Sequence, residues 1–174
     1  MKFCKSKVSG INIIRSNPFK DYRGVFTRIY CKKKFFKNKF IKPIVQVNVS
    51  FNKRRATLRG LHYQRGIFAE DKVIFCLRGK FFFVAVNINK KSKDYLKVFT
   101  CYLSERTKNI ILVRKNFATG FLTLKKNSQL IYLMSNFYKN KSSSGIRYND
   151  TKLKIDWPIK PLVISKKDKN LPFL

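Results

Sequence analysis

The sequence predicts an all-β sandwich or barrel with a few short helical turns, and three observations carry that expectation. Short runs of β-branched and aromatic residues recur along most of the chain. Turn-forming residues bound them, and several alternate with a period of two. The runs are INIIR (11–15), VFTRIY (25–30), IVQVNVSF (44–51), TLRGLHYQ (57–64), KVIFCLRG (72–79), FFFVAVNIN (81–89), VFTCYL (98–103), NIILV (109–113), GFLTL (120–124) and QLIYLM (129–134).

Taken in order, each run has a local reason. Residues 11–15 and 25–30 are rich in Ile, Val, Phe and Tyr, whose branched or flat side chains suit a pleated surface. KKKFFKNK (32–39) breaks that pattern and reads as a helical turn. In 44–51 the alternation places Ile44, Gln46, Asn48 and Ser50 on one face and Val45, Val47, Val49 and Phe51 on the other. In 57–64 it places Thr57, Arg59, Leu61 and Tyr63 opposite Leu58, Gly60, His62 and Gln64. Arg78 and Gly79 form a tight turn between two strands, with glycine supplying the positive φ. Residues 81–89 and 98–103 continue the strands, LSERTKN (103–109) reads as a second helical turn, and 109–113, 120–124 and 129–134 complete the set. KNKSSSG (139–145) is a polar loop. The tail from Ile146 is mostly irregular, with room for one short helix. Neither a repeat nor a linker interrupts the 174 residues, which fit one domain over 1–174.

Composition narrows the function classes. The chain carries 40 Lys and Arg against 8 Asp and Glu, formally +32, with one histidine. Such a balance points first to a polyanion. The lysine runs are scattered, however, and no RNP pattern, zinc spacing or basic-region heptad appears, which argues against nucleic acid as the partner. Hydrophobic residues make up 44%, too many for a disordered basic tail. No apolar run is long enough to span a membrane, and the N-terminus lacks a secretory h-region, so the cytoplasm is the default. Cys4, Cys31, Cys76 and Cys101 form no C-x-x-C pair. Cys76 and Cys101 sit in apolar runs, as small buried hydrophobes of a reducing compartment would. A metal-dependent barrel needs several His or Glu ligands, which one histidine cannot supply.

That histidine, His62, lies in a polar strand with Arg59 and Gln64. A buried polar strand is costly unless its groups are paired or used, and imidazole is the side chain best matched to proton transfer near neutral pH. Around it the chain carries an ordered set of motifs. They are Asp21-x-Arg23-Gly24-x-Phe26, Gln46-x-Asn48-x-Ser50, Leu58-Arg59-Gly60-Leu61-His62-Tyr63-Gln64, Lys72-Val73, Arg78-Gly79 and Val84-Ala85-Val86. Then follow Asn116-Phe117-Ala118-x-Gly120-Phe121, Tyr132, Tyr138, Gly145-Ile146-Arg147-Tyr148-Asn149-Asp150, Ile155-Asp156-Trp157-Pro158 and Ser165-Lys166-Lys167-Asp168. Together they resemble the dTDP-4-dehydrorhamnose 3,5-epimerase family over nearly the whole chain.

The resemblance implies a cupin-like jelly roll, a homodimer, no metal or organic cofactor, and a dTDP-4-keto-6-deoxy sugar as substrate. It implies that His62 is the base, Asp168 its orienting carboxylate, Tyr132 the acid on the other face, and Lys72 the cation near the 4-keto oxygen. It puts Arg59, Gln46 and Asn48 on the nucleotide and diphosphate side, Arg23 across the dimer, and Tyr138 near the base. Four positions depart from the family's pattern. Thr119 stands for a usual histidine, Phe83 for a usual aspartate, Arg28 for a usual glutamate and Val47 for a usual aspartate. The expectation is that these changes alter polarity around the pocket, leaving proton abstraction intact and substrate fit, or the choice between carbons 3 and 5, altered.

Overall fold

The computed structural model describes residues 1–40 and 42–174. Among the described residues fourteen strands follow one another: β1 (Lys2–Lys5), β2 (Ile11–Arg15), β3 (Phe19–Asp21), β4 (Gly24–Phe26), β5 (Gln46–Asn52), β6 (Thr57–Gln64), β7 (Lys72–Arg78), β8 (Lys80–Asn87), β9 (Val98–Ser104), β10 (Asn109–Val113), β11 (Phe117–Thr123), β12 (Ser128–Met134), β13 (Ser143–Gly145) and β14 (Val163–Ile164). The short helix α1 (Lys32–Lys37) precedes β5, and α2 (Lys166–Lys169) follows β14.

Two sheets form a jelly-roll sandwich. The first has the order β1-β2-β10-β7-β12-β5, and the second β13-β6-β11-β8-β9, with β14 added parallel to β6. Neighbours within these orders otherwise pair antiparallel. The turn at Gly79 (φ +84°) joins β7 to β8, but these strands lie in opposite sheets, so it is a corner rather than a hairpin. A β-carbon there would collide with Ser128, which fixes glycine at this corner.

Burial explains why the central strands read as apolar runs rather than alternations. In β8, Phe81, Phe83 and Ala85 point between the sheets, where they meet Ile74, Cys76, Ile111, Leu130 and Phe121. The intervening Phe82, Val84 and Val86 point outward and are covered by Ile146, Leu153 and Trp157 from the tail. The outer face of the first sheet is covered by Phe35 of α1 and by Phe40, packed on Ile14, Val73, Phe75, Ile110 and Leu112. The strand β5 reverses this logic. Its polar residues Gln46, Asn48 and Ser50 face inward, whereas Val47 (56% exposed), Val49 and Phe51 face outward.

Several expectations need correction. The run 25–30 is not one long strand. Only Gly24–Phe26 pairs, with Phe19–Asp21, as a small separate hairpin. Residues 105–107 form a turn between β9 and β10, not a helix. The polar stretch 139–145 contains a 3-10 turn (Asn140–Ser142) and β13, which docks on β6. The alternation in β6 also breaks. Thr119 pairs with His62 and Phe121 with Arg59, so three steps on β6 oppose two on β11. This bulge falls at Gly60 and Leu61, and it turns Arg59 and His62 to the same side.

Candidate active site

A cavity of about 620 Å³ opens between β5, β7 and β12 of the first sheet and β6, β8 and β11 of the second. The packed side chains of the inter-sheet core close one end of this space. The polar face of β5 lines the other.

His62 projects into the cavity from β6. Its Nε2 lies 2.8 Å from Asp168 Oδ1, a contact spanning 106 residues of sequence. The tail makes that contact possible. The strand β14 pairs with the start of β6, Ser165 caps α2 through Oγ accepting from the Asp168 N–H (3.0 Å), and Asp168 is thereby set behind the imidazole. The other carboxylate oxygen accepts the Gly60 N–H at 3.0 Å. Gly60 has φ +111°, and a β-carbon there would come within 2.7 Å of Gly120 Cα and Thr119 O, so the bulge requires glycine.

Electrostatics fixes the tautomer. Burial alone would raise the Asp168 carboxyl, but the bonds from His62 and the Gly60 N–H outweigh it and hold the group below its ordinary value of 3.8. An ionised carboxylate can only accept, so neutral His62 carries its proton on Nε2 and presents the lone pair of Nδ1. That nitrogen takes no hydrogen bond among the described residues.

Tyr132 enters from the opposite sheet, on β12 between Asn48 of β5 and Ile74 of β7. Burial pushes its phenol up, against a smaller downward pull from Arg59, so it remains a proton donor at neutral pH. Lys72 begins β7 and is almost fully buried. Its Nζ lies 3.1 Å from Glu70 Oε1, donates to Thr119 Oγ1 at 3.0 Å, and approaches the His62 carbonyl oxygen at 3.4 Å.

The remaining expected residues divide into two groups. Gln46, Asn48, Arg59 and Tyr138 all line the cavity. Gln46 Nε2 donates to Asn48 Oδ1 (3.0 Å) while its Oε1 accepts the Tyr138 N–H (3.0 Å), and Arg59 Nε donates to Asn52 Oδ1 (2.9 Å). Arg23 is elsewhere. It sits on the β3–β4 hairpin, 72% exposed and paired to Asp21 at 2.7 Å. Of the four departing positions, Thr119 and Phe83 line the cavity, on adjacent strands two positions out of register. Arg28 is exposed and Val47 faces outward, so neither changes the polarity of this chain's own pocket, contrary to expectation.

Sequence reasoning missed Glu70, Ser50, Ser143 and Lys167, which also line the cavity. Glu70 stood two residues before Lys72, a spacing that puts both side chains on one face of an extended segment. Lys167 adjoins Asp168. Ser143 carried no signal, because its strand forms only by docking on β6.

The sequence and the fold match proteins already known. A family model described as dTDP-4-dehydrorhamnose 3,5-epimerase matches residues 5–174. A Sinorhizobium fredii protein of that name is 34% identical over 175 residues, covering all of this chain and 90% of its own length. The crystal structure of the Bacillus anthracis dTDP-4-dehydrorhamnose 3,5-epimerase with TDP and pyrophosphate bound superposes with a TM-score of 0.96 at 32% identity, covering 99% of each chain. A Legionella pneumophila dTDP-6-deoxy-D-glucose-3,5-epimerase in complex with dTDP-4-keto-L-rhamnose gives 0.94 at 29% identity, covering 99% of this chain and 92% of that one. By sequence over nearly its full length, and by fold, this chain belongs to the dTDP-4-dehydrorhamnose 3,5-epimerase family.

Proposed function

We propose that the protein epimerises a dTDP-4-keto-6-deoxyhexose at carbons 3 and 5, using side chains alone. One observation carries the reading. The His62–Asp168 pair and Tyr132 enter one cavity from opposite sheets, so a base and an acid flank the space between them.

The chemistry follows from that placement. A 4-keto group acidifies the neighbouring C–H bonds. Nδ1 of His62 takes the proton, and Asp168 stabilises the imidazolium that forms, as carboxylates do in His–Asp pairs generally. The electron pair left behind delocalises onto the keto oxygen, where the Lys72 ammonium offsets the new charge. Tyr132 returns a proton from the opposite wall, which inverts the carbon. Arg59 and Lys167, both lining the cavity, suit the diphosphate. The wider positive charge of the chain favours encounter with that anion.

We further infer that the working unit is a homodimer. Phe19, Tyr22 and Phe26 on the β3–β4 hairpin, and Val47, Val49 and Phe51 on β5, are large exposed apolar side chains. Apolar surface of this kind marks an interaction site. A partner seated on it would allow Arg23 to reach a cavity other than its own. The four cysteines are unpaired, which supports a reducing, cytoplasmic setting.

A second reading has one specific support. Thr119 and Phe83 give one stretch of the cavity wall a hydroxyl and an apolar ring, which favours inversion at a single carbon. Incubation with dTDP-4-keto-6-deoxyglucose in D2O, followed by mass spectrometry, decides. Deuterium at both carbons is expected. Uptake at one carbon selects the single-site reading, and none at all overturns both.

A further inference from the structure

Glu70 is the one carboxylate among the described residues that lines the cavity, and no step of the proposed reaction uses it. Its side chain is 3% exposed. A buried carboxylate facing a substrate that is itself a dianion calls for an explanation, because it opposes the charge the pocket must attract.

The surroundings supply one. Glu70 Oε1 lies 3.1 Å from Lys72 Nζ. Its Oε2 accepts from Gln64 Nε2 at 3.1 Å. Gln64 Nε2 also lies 3.1 Å from the carbonyl oxygens of Phe68 and Phe137, so its two hydrogens are shared among three acceptors, and its Oε1 accepts the Lys139 N–H. The carboxylate is thus anchored through a rigid amide on β6 and offers its second oxygen to the ammonium. Thr119 Oγ1 at 3.0 Å and, more distantly, the His62 carbonyl oxygen at 3.4 Å are the other polar atoms that Nζ approaches. An ammonium on a flexible four-carbon stem is a poor electrostatic catalyst unless its position is fixed before the reaction begins.

We propose that Glu70 is a positioning residue that acts through Lys72. With Thr119 it fixes the ammonium beside the keto oxygen of the substrate, in a pocket where positions 83 and 119 supply neither the aspartate nor the histidine usual for the family. This inference rests on the epimerase reading and assigns to its site one more working part. Glu70 touches neither the sugar nor the proton in flight. It sets where the compensating charge stands when the enolate forms.

The test is a double-mutant cycle on the full-length protein with dTDP-4-keto-6-deoxyglucose, reading kcat, KM and deuterium uptake for the wild type, Glu70→Gln, Lys72→Met and the double variant. Glu70→Gln keeps the shape and the bond to Gln64 while removing the charge. The expected result is a loss in kcat of about tenfold with KM within about twofold, a loss of about a hundredfold or more for Lys72→Met, and a double variant no worse than Lys72→Met alone. An unchanged kcat in Glu70→Gln overturns the proposal. So does the same tenfold loss in the Lys72→Met background, which would show a role independent of Lys72, or a change confined to KM. If Glu70→Gln does not give folded protein by circular dichroism, Glu70→Asp takes its place in the same cycle with the same criteria. A wild type that exchanges no deuterium overturns the epimerase reading and this inference together. An active wild type with an uncoupled Glu70 overturns this inference alone.

Discussion

The space between the two sheets has two halves built by opposite rules. In one half, Phe81 and Phe121 meet edge to face with centroids 5.2 Å apart, and Ile111, Leu103 and Leu130 fill the gaps with essentially no exposure. In the other half Lys72, Tyr132, Arg59 and His62 stand around open volume. The strands β7 and β12 contribute to both halves, so the change from packed to polar takes place along single strands. The packed half holds the sheets at a fixed separation. Only on that rigid frame can the polar half keep an imidazole, a phenol and an ammonium in register without filling in.

Four experiments would break or sharpen this contrast. The largest effect is expected in the open half. Replacing His62 by Ala removes the proposed base and should lower kcat by about 10⁴-fold. Melting temperature should fall only modestly, since the imidazole is 40% exposed but its removal leaves the buried Asp168 carboxylate with one bond fewer. Steady-state kinetics with thermal melts would check both. The packed half should respond in the opposite sense. Phe81→Ala, at a fully buried ring, should cost about 3–5 kcal/mol of stability in urea titrations while the remaining folded protein turns over at a near-native rate. Loss of turnover in proportion to stability would show that the halves are not separable.

A third experiment asks whether the open half is completed from outside. Phe26→Asp places a charge on the exposed β3–β4 hairpin, where Phe26 is 69% exposed. Light scattering should then report one chain where the wild type reports two, with KM raised about tenfold as Arg23 is withdrawn from the partner's cavity. A wild type of one-chain mass would end the dimer reading.

The smallest effect concerns pH. The Asp168 carboxyl is held below its ordinary value of 3.8 in the folded chain. It therefore binds fewer protons folded than unfolded, and its stabilising contribution is complete above the unfolded value. That contribution falls away as pH drops through the lower folded value. Wild-type stability relative to Asp168→Asn should accordingly shrink as pH falls from about 5 to below 3.8 in urea titrations. A difference that stays constant over that window would show that the bonds from His62 and Gly60 do not favour the ionised form.

Much of the sandwich was legible because buried strands need apolar side chains, and the runs at 11–15, 72–79, 81–89, 98–103, 109–113 and 129–134 all become strands. Legibility failed where one residue changes parity. Alternation in β6 set Arg59 and His62 on opposite faces, and nothing in a period-two pattern announces the bulge that reunites them. It failed again where structure forms only by docking. The strands β13 and β14 are three and two residues long and exist because β6 offers an edge. The alternation of β5 was readable, but its inside-out sense was not, because apolar residues ordinarily face the core. The pairing of His62 with Asp168 came only through resemblance to a family, since no local rule links residues 106 positions apart. Glu70 lay in plain sight beside Lys72, with nothing in the sequence to separate it from a solvated charge.

The place of Asp168 on α2 has a consequence for how the protein comes into being. A ribosome delivers the chain from its N-terminus, and every strand of the first sheet ends by Met134. Most of the sandwich can therefore emerge and pack while the aspartate is still awaiting translation. Until the tail follows and β14 docks on β6, His62 has no carboxylate behind it. On the proposed mechanism the pocket thus takes shape before its histidine has the carboxylate that would make it a working base.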